Sequence, residues 1–325
     1  MAVRLLVVAD DANRGLLEDL RPLPEGWQGE SVRERDAGGL AQRLPEAEAV
    51  VARRFPPSMA RLASRLRLLV VYGGGADDVA YDLLPPEAVV AAVGGYEASV
   101  AEHALGLTFA LTQNLPAAER ATRRGCRLPG DAGLAPGVEL AGRTVGILGF
   151  GRVGREVARR LAPFDCDILA LKRAPDGYLK EYMGLMELGG PEFLDTLLAA
   201  SDVLVVTLPL TPATRGLVGQ RELARMKPGA FLVNVSRAAV VDEDALFFAL
   251  TSGHLRGAAL DVSYDEEAVD SPTAHRAFDR LGTVILTPRI GAHTDGAMRR
   301  QREEVREQLA RYARGEALSS VVARP

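Results

Sequence analysis

Cysteine is nearly missing from this 325-residue chain, which has only Cys126 and Cys166. Two thiols cannot staple a fold of this size, and no C-x-x-C or Cys/His spacing points to zinc, so reduced thiols and no metal site are expected. Histidine is scarce too, confined to His103, His254, His275 and His293, which narrows the groups able to move protons near neutral pH. Lysine occurs only at positions 172, 180 and 227, and no Lys/Arg run builds a basic patch. With a net charge of −4, the chain offers no attracting field for nucleic acid or an anionic membrane surface. No apolar run approaches the ~18 residues of a membrane span. The apolar stretch in MAVRLLVVADD is too short for a signal segment and closes on acids. These absences predict a soluble, cytoplasmic protein with neither membrane nor nucleic-acid partners.

What is present is an alternation of short apolar runs with helical patterns. With 47% hydrophobic residues the chain can fill two cores, and two domains are expected. Residues 3–8, 49–52 and 68–72 read as strands with an amphipathic segment at 57–66 between them, a rhythm that implies a parallel sheet. Residues 99–112 read as a helix with Ser99 as N-cap and Glu102 completing a capping box, ending near Pro116. The Gly/Pro-rich stretch 125–137 reads as a loop, and a second αβ series starts at Arg143. Its strands are expected at 144–148, 167–171, 203–207, 230–235, 258–262 and 284–286, six in all, matching two mononucleotide-binding halves. A last helix is expected over 294–314.

The chemistry begins with Gly149-Phe150-Gly151-Arg152-Val153-Gly154, placed between the apolar strand TVGIL and a helical EVARRLA. Strand, turn and helix stand in the order a dinucleotide fingerprint requires: Gly149 for a tight turn, Gly151 for close approach of a pyrophosphate, Gly154 for helix-on-strand packing. The helix N-terminus then faces the phosphates. At the end of the next strand an NAD site usually carries an acid for the ribose 2′-hydroxyl. Here Lys172 and Arg173 stand there, 18 and 19 residues after Gly154. Adjacent cations suit a 2′-phosphate, so NADP(H) is expected to be preferred, with NAD(H) possible.

The ordered segments GRTVGILGFGRVGREVARRL, TLPLTPATRGLV, MKPGAFLVNVSRAAVVDEDAL, GAALDV and VILTPRIGAHT, with GGGADDVAYD and SVAEHALGL upstream, resemble the D-isomer-specific 2-hydroxyacid dehydrogenases. The resemblance implies an α/β chain with a flavodoxin-like substrate domain at 1–98 and 289–325. A Rossmann cofactor domain would span 99–288, both sheets being parallel, with the active site in the cleft. It also implies a homodimer built on the helix after Ser99 and the following loop. The activity implied is hydride transfer between a nicotinamide coenzyme and a small 2-oxo or 2-hydroxy acid such as glyoxylate or hydroxypyruvate. Arg237 matches the arginine that binds the substrate carboxylate, although Ala238 replaces the glycine that usually follows. Gly74 and Gly75 match the loop whose N–H groups meet that carboxylate. Asp261 matches the acid contacting the nicotinamide carboxamide, with Thr207 and Pro209 lining the same site.

The proton chemistry departs from the family pattern. Arg289 stands where the resemblance places a general-acid histidine, and Glu266, or the neighbouring Glu267, where it places that histidine's carboxylate partner. A guanidinium, with a pKa above ~12, cannot shuttle protons at neutral pH. Three readings follow: His293 supplies the proton; Arg289 is a second anion clamp beside Arg237, reinforced by Arg53 and Arg54; or the fold is a catalytically altered dinucleotide-binding sensor. His103 is expected to pack on its helix, and His254 and His275 to lie on the surface.

Overall fold

The short apolar runs become buried parallel strands in the computed structural model, which describes residues 3–10, 13–175, 184–264 and 276–322. The chain divides into two units, residues 1–96 with 294–325, and residues 97–293.

In the first unit β1 (Val3–Ala9), β2 (Trp27–Arg33), β3 (Ala49–Ala52), β4 (Leu68–Val71) and β5 (Val89–Ala92) form one sheet in the order β2-β1-β3-β4-β5. Every pairing is parallel, and the order is that of a flavodoxin-like fold. Alternate residues feed two cores. Leu6, Val8, Val50, Leu69 and Val71 enter one, while Leu5, Val7, Val51, Leu68 and Val70 enter the other with Val305 and Leu309 of the helix Asp295–Ala313. Sheets covered on both faces produce continuous apolar strands such as AVVA and LLVV, which is why β3 and β4 were legible. The edge strand β2, WQGESVR, was not, since Val32 is its one fully buried residue. The amphipathic stretch at 57–66 yields a single helical turn, Pro57–Ala60.

The second unit holds β6 (Thr144–Leu148), β7 (Asp167–Leu171), β8 (Leu185–Gly189), β9 (Val203–Val206), β10 (Phe231–Asn234), β11 (Gly257–Leu260) and β12 (Val284–Leu286). The order is β12-β11-β10-β9-β6-β7-β8, all parallel. This is the doubly wound Rossmann arrangement, and the strand order reverses between β6 and β9, where such sheets bind ligands outside their carboxyl ends. Seven strands replace the six expected. The strand overlooked is β8, whose LMELG is an edge segment without β-branched residues and with two exposed side chains.

The helix beneath this sheet runs Glu97–Thr112 and corrects a second expectation. Ser99 lies inside it rather than capping it: its hydroxyl donates to the carbonyl of Gly291 at 2.6 Å, and Glu102 pairs with Arg160 at 3.0 Å. Tertiary partners claim both side chains of the supposed capping box. Among the described residues no helix is long and apolar enough to cross a membrane.

Candidate functional site

The glycine turn after β6 is built by three distinct constraints. Gly149 adopts φ +111°, and the N–H groups of Gly149 and Phe150 donate to the carbonyl of Leu171 at 3.1 and 2.9 Å, tying the turn to β7. A Cβ on Gly149 would lie 2.9 Å from the Thr207 carbonyl carbon, and the Thr207 hydroxyl donates to the Gly149 carbonyl at 2.6 Å. A Cβ on Gly154 would run into that same carbonyl oxygen. Gly151 differs, because nothing lies within 4 Å of a Cβ placed there. It is the N-cap of the helix Arg152–Leu161 and makes no side-chain cap, so it gives the first N–H groups of the helix no side-chain acceptor. Backbone donors, a helix dipole and room for a ligand are what a pyrophosphate needs, and the residues fit a dinucleotide. Phe150 is buried and contributes backbone alone, Val153 packs against the core, and the exposed Arg152 is ion-paired with Glu97 at 3.1 Å.

Beyond β7, Lys172 is half-buried and Arg173 exposed. The Lys172 N–H donates to the Gly189 carbonyl at 3.0 Å, so this cationic pair stands at the paired ends of β7 and β8. Pro209 is exposed after β9, its carbonyl accepting from the Thr214 hydroxyl at 2.7 Å.

Arg237 follows β10 and is braced by groups the sequence reading missed. Asn234 is wholly buried; its Oδ1 accepts from the Ser236 N–H at 2.9 Å and hydroxyl at 2.8 Å, and its Nδ2 donates to the Arg237 carbonyl at 2.9 Å. The guanidinium itself donates to the Ser236 carbonyl at 3.0 Å. An asparagine ending a buried strand two residues before Ser-Arg was the available signal, since such a side chain must satisfy local backbone.

Asp261, just after β11, is buried and its carboxylate faces the turn following β12. Its Oδ1 accepts from the Thr287 hydroxyl at 2.7 Å and the Ile290 N–H at 2.9 Å, and its Oδ2 from the Gly291 N–H at 2.8 Å. His103 brings its Nε2 within 3.1 Å of the Thr287 hydroxyl and 3.4 Å of Asp261 Oδ1. The Thr287 proton is already given to Asp261, so Nε2 carries the hydrogen that Thr287 accepts. Burial would raise the Asp261 carboxyl, but hydrogen bonds from His103, Thr287 and Gly291 outweigh it and hold the group below the usual carboxylate range. His103 is therefore a polar partner of this turn and not simply a packing residue.

Arg289 sits in that turn at φ +55°, half-buried. His293 is exposed, with its N–H on the Ile290 carbonyl at 2.8 Å, and it ends the unit. Glu266, Glu267 and His275 lie outside the described residues. His254 is half-buried, with Nε2 3.0 Å from the Leu223 carbonyl, rather than loose on the surface. In the first unit Gly74 and Gly75 follow β4 at φ +133° and +122°. The extra cationic field expected there is offset, because Arg53 pairs with Asp10 at 3.5 Å and Arg54 with Glu34. Among the described residues no His, Cys, Asp and Glu cluster could hold a metal ion.

Comparison with known proteins bears on this geometry. The family model described as D-isomer specific 2-hydroxyacid dehydrogenase, NAD binding domain, matches residues 105–291. The D-3-phosphoglycerate dehydrogenase of Mycobacterium tuberculosis is 35% identical over 292 residues, covering 88% of this chain but 53% of that protein. The chain thus spans about half the length of such relatives. The glyoxylate reductase of Thermococcus litoralis is 31% identical over 315 residues, covering 94% of this chain and 89% of the relative. Among solved structures, the NADPH-dependent glyoxylate/hydroxypyruvate reductase of Sinorhizobium meliloti, in complex with NADP and malonate, superposes with a TM-score of 0.82 at 27% identity, covering 99% and 97% of the two chains. The D-lactate dehydrogenase of Aquifex aeolicus, complexed with NAD and lactic acid, gives 0.83 at 25% identity, covering 99% of each. Strand order, glycine turn and sequence matches agree: this chain belongs to the D-isomer-specific 2-hydroxyacid dehydrogenase family.

Proposed function

We propose that the chain is a nicotinamide-dependent reductase of small 2-oxo acids that prefers NADP(H). The observation that carries this reading is a glycine turn left open at Gly151, with an arginine braced by a buried asparagine at the carboxyl end of the same sheet. The NADP(H) preference is supported by Lys172 and Arg173 at the end of β7, where an acid would repel a 2′-phosphate. When bound, the nicotinamide ring supplies the hydride. Arg237 presents a planar fork to the substrate carboxylate and polarises the adjacent carbonyl. We assign Arg289 to the position of the family's proton-donating histidine, where it holds a second anionic group instead of moving a proton. Without a side-chain acid, reduction slows by about 10²–10⁴ relative to a histidine-bearing site. Gly74 and Gly75 are proposed as further carboxylate-binding groups on the family resemblance. A homodimer built on the helix Glu97–Thr112 and the following loop belongs to the same proposal, supported by the exposed Leu115 and Leu128.

The test is a titration with NADPH and NADH by nicotinamide fluorescence, followed by a screen of glyoxylate, hydroxypyruvate and related 2-oxo acids on the same sample. Tight NADPH binding with slow oxidation is expected. Absence of binding of either coenzyme at millimolar concentration would refute the reading, and binding without turnover on any acid would favour a dinucleotide-binding sensor.

A further inference from the structure

Arg289 has a left-handed backbone, which strains a residue with a Cβ and persists only where the surroundings impose it. The carboxylate of Asp261, its side chain 6% exposed, takes three hydrogen bonds from the five-residue turn around Arg289: Thr287 before it, Ile290 and Gly291 after it. The helix Glu97–Thr112 closes the turn from outside, with His103 on Thr287 and the Ser99 hydroxyl on the Gly291 carbonyl. The closure leaves no slack: a Cβ on Gly291 would stand 2.9 Å from Asp261 Oδ2 and 3.4 Å from the His103 ring.

We propose that Asp261 is a positioning residue for Arg289, acting with His103, Thr287 and Ser99 as a clasp that forces the turn into its left-handed form and aims the guanidinium. The inference rests on the reading of Arg289 as an anion clamp, and the two can fail separately.

The experiment is a cycle on the full chain. Arg289→Gly and Arg289→Ala are made alone and combined with Asp261→Ala. Three quantities are measured: the melting midpoint, NADPH affinity by fluorescence, and malonate affinity of the NADPH-loaded protein by calorimetry. With the clasp intact, the glycine variant is expected to melt about 2–4 °C above the alanine variant, since the two differ only by the strained Cβ. In the Asp261→Ala background that gap closes, because nothing then forces the backbone. Asp261→Ala alone weakens malonate at least about tenfold. Asp261→Asn, which keeps one acceptor oxygen, lies between. Equal midpoints for the glycine and alanine variants would overturn the proposal, as would unchanged malonate affinity in Asp261→Ala. A gap that depends on Asp261 together with malonate binding indifferent to Arg289→Ala leaves the clasp standing and removes the anion role of Arg289. If Asp261→Ala does not fold, Thr287→Val removes one of the three bonds and carries the same comparison.

Discussion

Gly149, Gly151 and Gly154 share one motif but answer to different forces, and substitution separates them. Gly154→Ala drives a methyl into the Gly149 carbonyl, so it destabilises by about 1–3 kcal/mol despite alanine's better helix propensity, read as a lower melting midpoint. Gly151→Ala enters open space. Its midpoint is expected to stay within about 1 °C of the parent while NADPH affinity falls at least about tenfold, and unchanged affinity would remove the pyrophosphate from this turn. Lys172→Ala with Arg173→Ala should weaken NADPH at least about tenfold and NADH within about threefold; equal weakening would exclude the 2′-phosphate contact. Arg289→His introduces a group able to donate a proton and is expected to raise kcat on glyoxylate by about 10–10². The motif glycines and Arg237 were visible as residue types at a spacing. Asn234 and His103 were not, because their value comes from partners in space: a buried amide bridging Ser236 to Arg237, and a ring nitrogen on Thr287.

Elements are tied by groups far from the carboxyl ends of the strands. Asp202 precedes β9, accepts from the Thr144 N–H that opens β6 at 2.9 Å, and pairs with the Lys227 ammonium at 2.9 Å ahead of β10. Burial would raise its carboxyl, but the Thr144 N–H and Lys227 outweigh that and hold it below the ordinary range. A carboxyl depressed in the folded state contributes stability that is fully present above its unfolded pKa, near ~3.9, and is lost as the pH falls through the lower folded value. Asp202→Asn is thus expected to lower the melting midpoint by about 2–4 °C at pH 7 and by progressively less below pH ~4. A difference that stays constant down the acid range would show that ionisation is irrelevant to the staple. The elements themselves were legible where both faces of a strand are covered, as in β3, β4, β9 and β10. They were obscure in the edge strands β2 and β8, which carry no long apolar run, and the short apolar edge strand β5 was not read either.

For the whole molecule, a ligand that binds only the folded chain stabilises it by RT ln(1 + [L]/Kd), about 2.7 kcal/mol at a hundredfold excess over Kd. Rising NADPH should therefore raise the melting temperature continuously, with NADH displaced to higher concentration, as followed by differential scanning fluorimetry. Sedimentation velocity is expected to report twice the chain mass, and a species of single-chain mass at all concentrations would remove the proposed dimer. The sequence alone determined that this is an α/β chain with two parallel sheets and a glycine fingerprint opening the second, because hydrophobic periodicity and turn residues act over a few neighbours. Tertiary structure decided the rest. Residues 289–293 fall in the second unit, where Asp261 accepts from Ile290 and Gly291, Ser99 binds Gly291 instead of capping its helix, and Arg289 takes a backbone that its own residue type disfavours. Each of these joins residues far apart along the chain, by hydrogen bonds whose worth depends on burial that only the packed sheet provides.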